Sequence, residues 1–153
     1  MVDLLDLEGS CIPDLFSRLG PRHYFLLGNK VDQLLPDGPG YLQRWEDQLR
    51  ARALSVTGIP ASHLVSALLV SAQTGYNIEQ LITQLLSVRL RRQPAYIVGC
   101  VNVGKSSLFN RLLYSDLCKG AAMFKPAEAT VSAWPGEERG WTRDLLYLSL
   151  IHI

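Results

Sequence analysis

Short apolar runs alternate along the chain with longer segments in which apolar and polar residues mix at helical spacing. The runs, which predict buried strands, lie at residues 2–5, 23–28, 64–70 and 95–98. A helix is the alternative for residues 64–70. The longer segments predict helices at residues 13–19, 41–55, 78–90 and 105–113. Strands that alternate with helices indicate an α/β protein with a parallel sheet covered on both faces.

Three loops directly follow predicted strands, at residues 28–32, 71–75 and 99–106. The carboxyl ends of parallel strands lie at one edge of a sheet, and α/β proteins bind their ligands there. We therefore expect the three loops to meet in one site. Just beyond the second loop, Asn77 is predicted to cap the helix that begins at residue 78.

The third loop reads G-C-V-N-V-G-K-S and matches the phosphate-loop pattern GxxxxGK[ST] between a strand and a helix. Glycines without a Cβ allow the backbone to approach a phosphate closely, and the N–H groups of the loop then point at its oxygens. Lys105 would add positive charge, and the Ser106 hydroxyl would ligate Mg²⁺. A glycine-rich turn without a ligand is the alternative. The predicted phosphate-binding residues are Gly99, Cys100, Val101, Asn102, Val103, Gly104, Lys105, Ser106 and Ser107.

The first loop contains N-K-V-D at residues 29–32, which suits guanine. The Asp32 carboxylate can accept hydrogen bonds from the N1–H and 2-amino groups of guanine, whereas adenine offers no donor there. A carboxylate left buried and unpaired would cost several kcal/mol. We predict that Lys30 lays its aliphatic stem over the base and that Asn29 braces the loops.

The second loop contains S-A-Q, and Ser71, Ala72 and Gln73 complete the predicted pocket. The Ala72 backbone N–H is expected to meet the guanine oxygen. Both guanine-binding segments precede the phosphate loop in the chain, and this order distinguishes the sequence from an ordinary nucleotide-binding domain.

Composition and charge are those of a globular protein. The chain has 153 residues, of which 48% are hydrophobic and 19% charged, and its length indicates one domain. A net charge of +1 gives no overall bias toward nucleic acid or membrane. Arg89, Arg91 and Arg92 cluster at the end of a predicted helix. They favour a helix C-terminus electrostatically, or they contact RNA or phosphate.

Cysteine spacing and hydropathy exclude further classes. Cys11, Cys100 and Cys118 show no CxxC spacing, so neither a disulfide framework nor a zinc site is predicted. No apolar run is long enough for a transmembrane segment.

With these motifs, the chain resembles the circularly permuted GTPases of ribosome assembly, of the bacterial YqeH and mitochondrial nitric-oxide-associated type. The matching segments lie at residues 2–10, 28–32, 71–75, 98–107 and 129–136. The resemblance implies a P-loop NTPase fold, a Ras-like GTPase domain in circularly permuted order. That domain would cover residues 1–136, and residues 137–153 would form a divergent tail.

The resemblance also implies ligands, partners and a location. The ligands are GTP or GDP with Mg²⁺, and Lys105 and Asn102 are the implied catalytic residues. Asn102 is similar to the residue that ligates K⁺ in potassium-activated GTPases, where the cation stabilises transition-state charge; the alternative is that it only tolerates a turn. The implied partners are ribosomal RNA or small-subunit assembly intermediates, and the implied location is the mitochondrion.

The similarity ends after Pro135 and Gly136. Family members continue with two threonines and a later Asp-x-Pro-Gly switch, whereas Glu137 follows here and no Asp-x-x-Gly occurs downstream. Asp6 lies in a D-L-E-G match, but it precedes residue 29 too closely for the intervening elements of a switch. We expect Asp6 to end a strand; the alternative is that it ligates Mg²⁺.

The missing switch residues predict a truncated product that binds GTP or GDP but hydrolyses GTP poorly. Its sheet would retain four strands, with the phosphate-loop strand exposed at an edge. The first alternative is a non-catalytic, nucleotide-responsive module that binds RNA or the ribosome. An ATP-using P-loop enzyme, which Asp32 disfavours, and a fragment without independent function are the others.

Overall fold

A computed structural model of the chain describes residues 1–88, 95–114 and 145–148. The strands are β1 (Val2–Asp3), β2 (Tyr24–Asn29), β3 (Leu64–Leu69), β4 (Ala95–Val98) and β5 (Leu145–Leu148). The α-helices are α1 (Leu7–Ser10), α2 (Leu15–Leu19), α3 (Tyr41–Thr57), α4 (Ile78–Ser87) and α5 (Lys105–Leu113). Single 3₁₀ turns cover Val31–Gln33 and Ala61–His63.

The first three strands form a parallel sheet in the order β1-β2-β3. Val2 pairs with Gly28 in this sheet, and Leu27 pairs with Leu68. The strand predicted at residues 64–70 is therefore confirmed, and its helical alternative is wrong. A parallel sheet is stable when apolar side chains cover both faces, and the predicted runs supply such side chains.

Two buried clusters lie on opposite faces of this sheet. Leu26 belongs to a cluster with Leu49 and Ala53 of α3, whereas Leu27 packs with Leu81 of α4 and Leu108 of α5. Successive residues of a strand point to opposite faces, which explains how β2 contributes to both clusters. The predicted α/β architecture with helices on both faces is confirmed.

The environment of β4 differs from the expectation of a single four-stranded sheet with an exposed phosphate-loop strand. β4 pairs with β5 in a separate antiparallel ladder, in which Ala95 is opposite Leu148 and Val98 is opposite Leu145. The Met1 nitrogen donates to the Val98 carbonyl at 2.7 Å, so the start of β1 contacts the end of β4. The edge prediction is wrong because the apolar run near residue 145 supplies a partner strand.

Helix ends differ by a few residues from the sequence prediction. The helix predicted at residues 105–113 is confirmed, whereas α4 ends at Ser87 and the short helix α1 was not predicted. Asn77 occupies the N-cap position with a φ of 58°, but its side chain makes no capping bond and donates instead to the Leu69 carbonyl at 3.0 Å. The predicted cap is wrong because the strand end offers this acceptor.

Several predictions fall outside the described residues. They concern the arginine cluster at residues 89–92, the segment 115–136 with its 129–136 match, Cys118, the domain boundary at residue 136 and the tail apart from β5.

Candidate nucleotide-binding site

The phosphate loop joins β4 to α5, and its two glycines lie where the backbone approaches other groups. Gly104 has a φ of 96°, and a Cβ there would collide with the Asn29 amide nitrogen. A Cβ on Gly99 would lie 2.5 Å from the Met1 carbonyl oxygen. Asn102 has a φ of 63°, which asparagine tolerates better than most residues. The loop conformation therefore depends on these residue types.

The groups that would face a phosphate are already arranged. Lys105 is only 2% exposed, and its ammonium donates to the carbonyls of Gly99 at 3.0 Å and Cys100 at 2.7 Å. The N–H groups from Val101 to Gly104 donate to no acceptor in the part of the chain that the structure describes. Since these donors lie beside the N-terminus of α5, the loop fits a phosphate group.

Ser106 is buried in the first turn of α5, where a serine hydroxyl can ligate Mg²⁺ next to a phosphate. Within residues 1–88 and 95–114, no cluster of three acidic, histidine or cysteine side chains could hold a metal on its own. The Ser106 hydroxyl is thus a described group that could ligate a magnesium ion bound beside a phosphate.

Asn29 joins all three predicted loops. It is buried at the end of β2, and its side-chain nitrogen donates to the Val103 carbonyl at 2.8 Å. Its side-chain oxygen accepts from the Ala72 N–H at 3.0 Å. The predictions that the loops meet at one edge and that Asn29 braces them are confirmed.

Lys30 is held by a residue that the sequence analysis did not single out. Its ammonium forms an ion pair with a carboxylate oxygen of Asp3, whose side chain is 15% exposed. The other oxygen of Asp3 accepts from the Leu5 N–H at 3.0 Å, and the Asp3 N–H donates to the Ser10 hydroxyl at 2.9 Å. The segment at residues 2–10 contained the signal for this ion pair, because a carboxylate at the end of a buried strand can pair with a nearby lysine.

Asp32 lies in the 3₁₀ turn after β2 and is exposed. It makes no hydrogen bond or ion pair with another described residue. The carboxylate that is predicted to pair with guanine is therefore open to solvent. Burial of Asp32 requires the ligand itself, so the cost of leaving it unpaired arises only when a base covers it.

The loop at residues 71–75 differs in one respect from the prediction. Ser71 is fully buried and its hydroxyl accepts from the Thr74 N–H at 3.0 Å, while Gln73 is exposed. The Ala72 N–H, expected to meet the guanine oxygen, is occupied by Asn29. On the opposite side, the Arg111 guanidinium donates to the carbonyls of Ala72 and Gln73. Nothing in the sequence distinguished Arg111 from an ordinary helix residue.

Asp6 has a local structural role. Its carboxylate accepts from the Gly9 N–H at 2.9 Å and caps α1. The backbone of Asp6 forms an isolated β-bridge with that of Asp3, the last residue of β1. These contacts explain the D-L-E-G match as the start of a helix. Within the described helices, none is long and apolar enough to cross a membrane.

Comparisons with known proteins agree with this geometry. Residues 94–148 match the family model described as 50S ribosome-binding GTPase. Nitric oxide-associated protein 1 of Homo sapiens is 39% identical, over 89% of this chain and 23% of its own length. The Mus musculus protein of the same name is 38% identical, over 89% of this chain and 24% of its own length.

A bacterial relative, YqeH of Bacillus subtilis, is 35% identical over 74% of this chain and 29% of its own length. The chain thus spans about a quarter of the length of the curated relatives that it matches. The parallel sheet and the phosphate loop are those of a P-loop NTPase, and the similarities place the chain with the YqeH and nitric oxide-associated protein 1 type of GTPase.

Proposed function

We propose that the chain binds GTP or GDP at the edge where its three loops meet, and that Asp32 selects guanine. The observation that carries this proposal is the double contact of Asn29, which bonds the phosphate loop at Val103 and the 71–75 loop at Ala72. One residue of the base motif thereby sets the distance between the loop proposed to hold the phosphates and the loop proposed to hold the base. The GTPase family match supports the same ligand.

Each predicted site residue has a proposed role. The N–H groups of residues 99–107 and the Lys105 ammonium bind the phosphates, and Lys105 exchanges its loop carbonyls for phosphate oxygens. Ser106 holds Mg²⁺, which would neutralise charge on the outer phosphates. Asn102 is exposed on the loop and is proposed as a K⁺ ligand. On the base side, Lys30 covers the purine, and the Gln73 N–H, which donates to no other described residue, faces its 6-oxygen in place of the Ala72 N–H.

We further propose that the domain is circularly permuted and extends over residues 1–136. The guanine-binding strands β2 and β3 precede the phosphate-loop strand β4 in the chain, and β1 lies between β2 and the end of β4. The described sheet is small for a nucleotide-binding domain, which supports an incomplete sheet. The stretch at residues 137–153 would then be a divergent tail that lends β5 to β4.

Hydrolysis of GTP is proposed to be weak. Catalysis in such enzymes depends on electrostatic stabilisation of the transferred phosphate and on positioning of the water. Lys105 and Asn102 would supply electrostatic stabilisation. The switch threonines expected after Gly136 are replaced by Glu137 and Glu138. A non-catalytic, nucleotide-responsive module that binds RNA or the ribosome is the alternative that the same replacement supports.

Partners and location follow from the relatives alone. The family description names GTPases that bind the 50S, or large, subunit, and it supports a ribosomal partner only in general. By the resemblance to the YqeH-type GTPases, we propose ribosomal RNA or small-subunit assembly intermediates as partners of this chain. By likeness to the nitric-oxide-associated relatives, we propose a mitochondrial location.

Calorimetry with GDP, ADP and xanthosine diphosphate tests the ligand. The wild-type chain should bind GDP about a hundredfold more tightly than ADP, since Asp32 finds no donor on adenine. Asp32→Asn should prefer xanthosine diphosphate, because an amide can donate to the 2-oxygen of xanthine. Asp47→Asn, an exposed change on α3, is the control. Equal binding of GDP and ADP by the wild type would refute the proposal.

Single-turnover GTP hydrolysis in K⁺ and in Na⁺ separates the two functions. A slow rate that K⁺ raises and Asn102→Ala removes supports a weakened GTPase with a cation at Asn102. A rate equal to that without protein, together with tight GTP binding, supports the non-catalytic module.

A further inference from the structure

Helix α5 contacts both halves of the proposed site. Its first turn carries Lys105 and Ser106, and its last turn carries Arg111. The Arg111 Nε donates to the Ala72 carbonyl at 3.3 Å, and another guanidinium nitrogen donates to the Gln73 carbonyl. With a rise of about 1.5 Å per residue, six positions separate the two functions by about 9 Å along the helix.

The contacts of the 71–75 loop show why Arg111 matters. Its inner part is self-supporting, since the Gly75 N–H donates to the Ser71 carbonyl at 2.9 Å and the Thr74 N–H to the Ser71 hydroxyl at 3.0 Å. Among the described residues, the carbonyls of Ala72 and Gln73 accept only from Arg111. The outer half of the loop therefore depends on one side chain from another element.

The backbone of Ala72 is held on both sides of its Cα. Asn29 accepts from its N–H, and Arg111 donates to its carbonyl. The guanidinium also lies against the turn, because a Cβ on Gly75 would be 3.5 Å from the Arg111 Cζ. A basic residue in the last turn favours a helix by charge alone, but that effect requires no forked contact with two carbonyls.

We propose that Arg111 is a positioning residue for guanine recognition. It holds the 71–75 loop so that the Gln73 N–H, which donates to no other described residue, faces the 6-oxygen of the purine, and it ties that geometry to the helix that binds the phosphates. This inference rests on the proposed guanine-nucleotide function. It adds a determinant of specificity that lies outside the phosphate loop, the N-K-V-D tetrapeptide and the Ser-Ala-Gln segment.

The test compares Arg111→Met, Arg111→Lys and the control Arg50→Met on the full chain. Arg50 is an exposed helical arginine with a distant pair to Glu46 at 3.9 Å. Binding is measured for GDP, for the diphosphate of 2-aminopurine riboside, which lacks the 6-oxygen, and for pyrophosphate. Thermal melting without nucleotide reports stability.

Arg111→Met should weaken GDP about tenfold, the factor that corresponds to one or two lost hydrogen bonds. Binding of the 2-aminopurine ligand and of pyrophosphate should change less than about twofold. Arg111→Lys should restore part of the GDP affinity because its ammonium can still reach a carbonyl. Should Arg111→Met fail to fold, Arg111→Lys carries the test, with a loss of about threefold for GDP alone.

An equal loss for all three ligands, or a lower melting temperature with unchanged GDP affinity, would overturn the proposal, because either result indicates a merely structural arginine. A wild-type chain that binds no GDP would overturn the guanine function and this inference together. Tight binding of GDP by the wild type and by Arg111→Met alike would overturn only the role of Arg111.

Discussion

The phosphate loop and the guanine-binding loops are built in different ways. In the phosphate loop, Lys105 bonds to Gly99 and Cys100, which lie six and five positions earlier. On the guanine side, Lys30 pairs with Asp3 across 27 positions, Asn29 bonds to Val103 across 74, and Arg111 bonds to Ala72 across 39. The bonds of Lys105 within the phosphate loop are local, whereas the proposed guanine pocket is an assembly of distant residues.

This difference teaches that affinity and selectivity have separate structural origins here. A change within the phosphate loop removes the strongest contacts with any nucleotide. A change at a distant support loosens the guanine pocket and leaves the phosphate contacts in place. Variants can therefore separate a loss of nucleotide affinity from a loss of selectivity for guanine over adenine.

The largest effect is expected for Gly104→Ala. The new methyl group would meet the Asn29 amide in a backbone conformation with a φ of 96°, so the loop must change shape. We expect GDP affinity to fall by about a hundredfold or more in calorimetry. Gly20→Ala is the control, since its φ of 77° carries similar strain but a Cβ there meets no described atom within 4 Å. Normal GDP binding by Gly104→Ala would contradict the assignment of the phosphates to this loop.

A second variant, Asn29→Ala, breaks the junction between the two regions. It leaves the Val103 carbonyl and the Ala72 N–H buried without partners, which should lower the free energy of unfolding by about 2 kcal/mol. Urea unfolding without nucleotide measures this. Asn29→Asp keeps the acceptor for Ala72 but places a buried carboxylate oxygen against the Val103 carbonyl, so it should destabilise the chain at least as much as Asn29→Ala. A clearly milder loss for Asn29→Asp would argue against the bond to Val103.

A smaller effect is expected for Asp3→Asn, which sharpens the comparison on the guanine side. The ion pair with Lys30 is partly buried, and its loss should weaken GDP about threefold to fivefold while pyrophosphate binding stays the same. The control is Asp37→Asn, whose partner Arg44 lies in an exposed pair on the surface. Equal weakening of GDP and pyrophosphate would place the role of Asp3 in the fold.

The mildest test uses the protein without substitutions. Cys100 is a half-buried residue of the phosphate loop, whereas Cys11 is 5% exposed and burial raises the pKa of its thiol. At pH 8, iodoacetamide should modify Cys100 faster than Cys11, because a raised pKa leaves less thiolate. GDP should slow modification at Cys100 alone, as measured by peptide mass spectrometry. Unchanged labelling of Cys100 under saturating GDP would place the nucleotide elsewhere.

Prediction from sequence succeeded where the signal was local. The phosphate loop, α5 and the strands at residues 24–29 and 64–69 follow from apolar spacing and glycine positions, and their bounds agree within a residue or two. Asn29 was placed correctly because its role depends only on loops that follow neighbouring strands. The exposure of Asp32 was not predicted, since spacing along the chain carries no information about solvent exposure.

Other features arise only when segments far apart in the chain meet. The run at residues 145–153 is apolar enough to predict a strand, but the sequence does not identify its partner, and so the edge of β4 was predicted to be exposed. Arg111 resembles any arginine near a helix end until the 71–75 loop is seen beside it. Asn77 was predicted to cap a helix, but the Leu69 carbonyl competes for its amide.

The sequence by itself determined the order of strands and helices and the chemistry of the phosphate loop, because these depend on residue type, periodicity and backbone freedom over fewer than ten positions. The tertiary structure alone decided which side chains support Lys30, Ala72 and Gln73, and which strand accompanies β4. Hydrogen bonds and ion pairs between distant residues form only after packing brings their atoms within about 3 Å of each other.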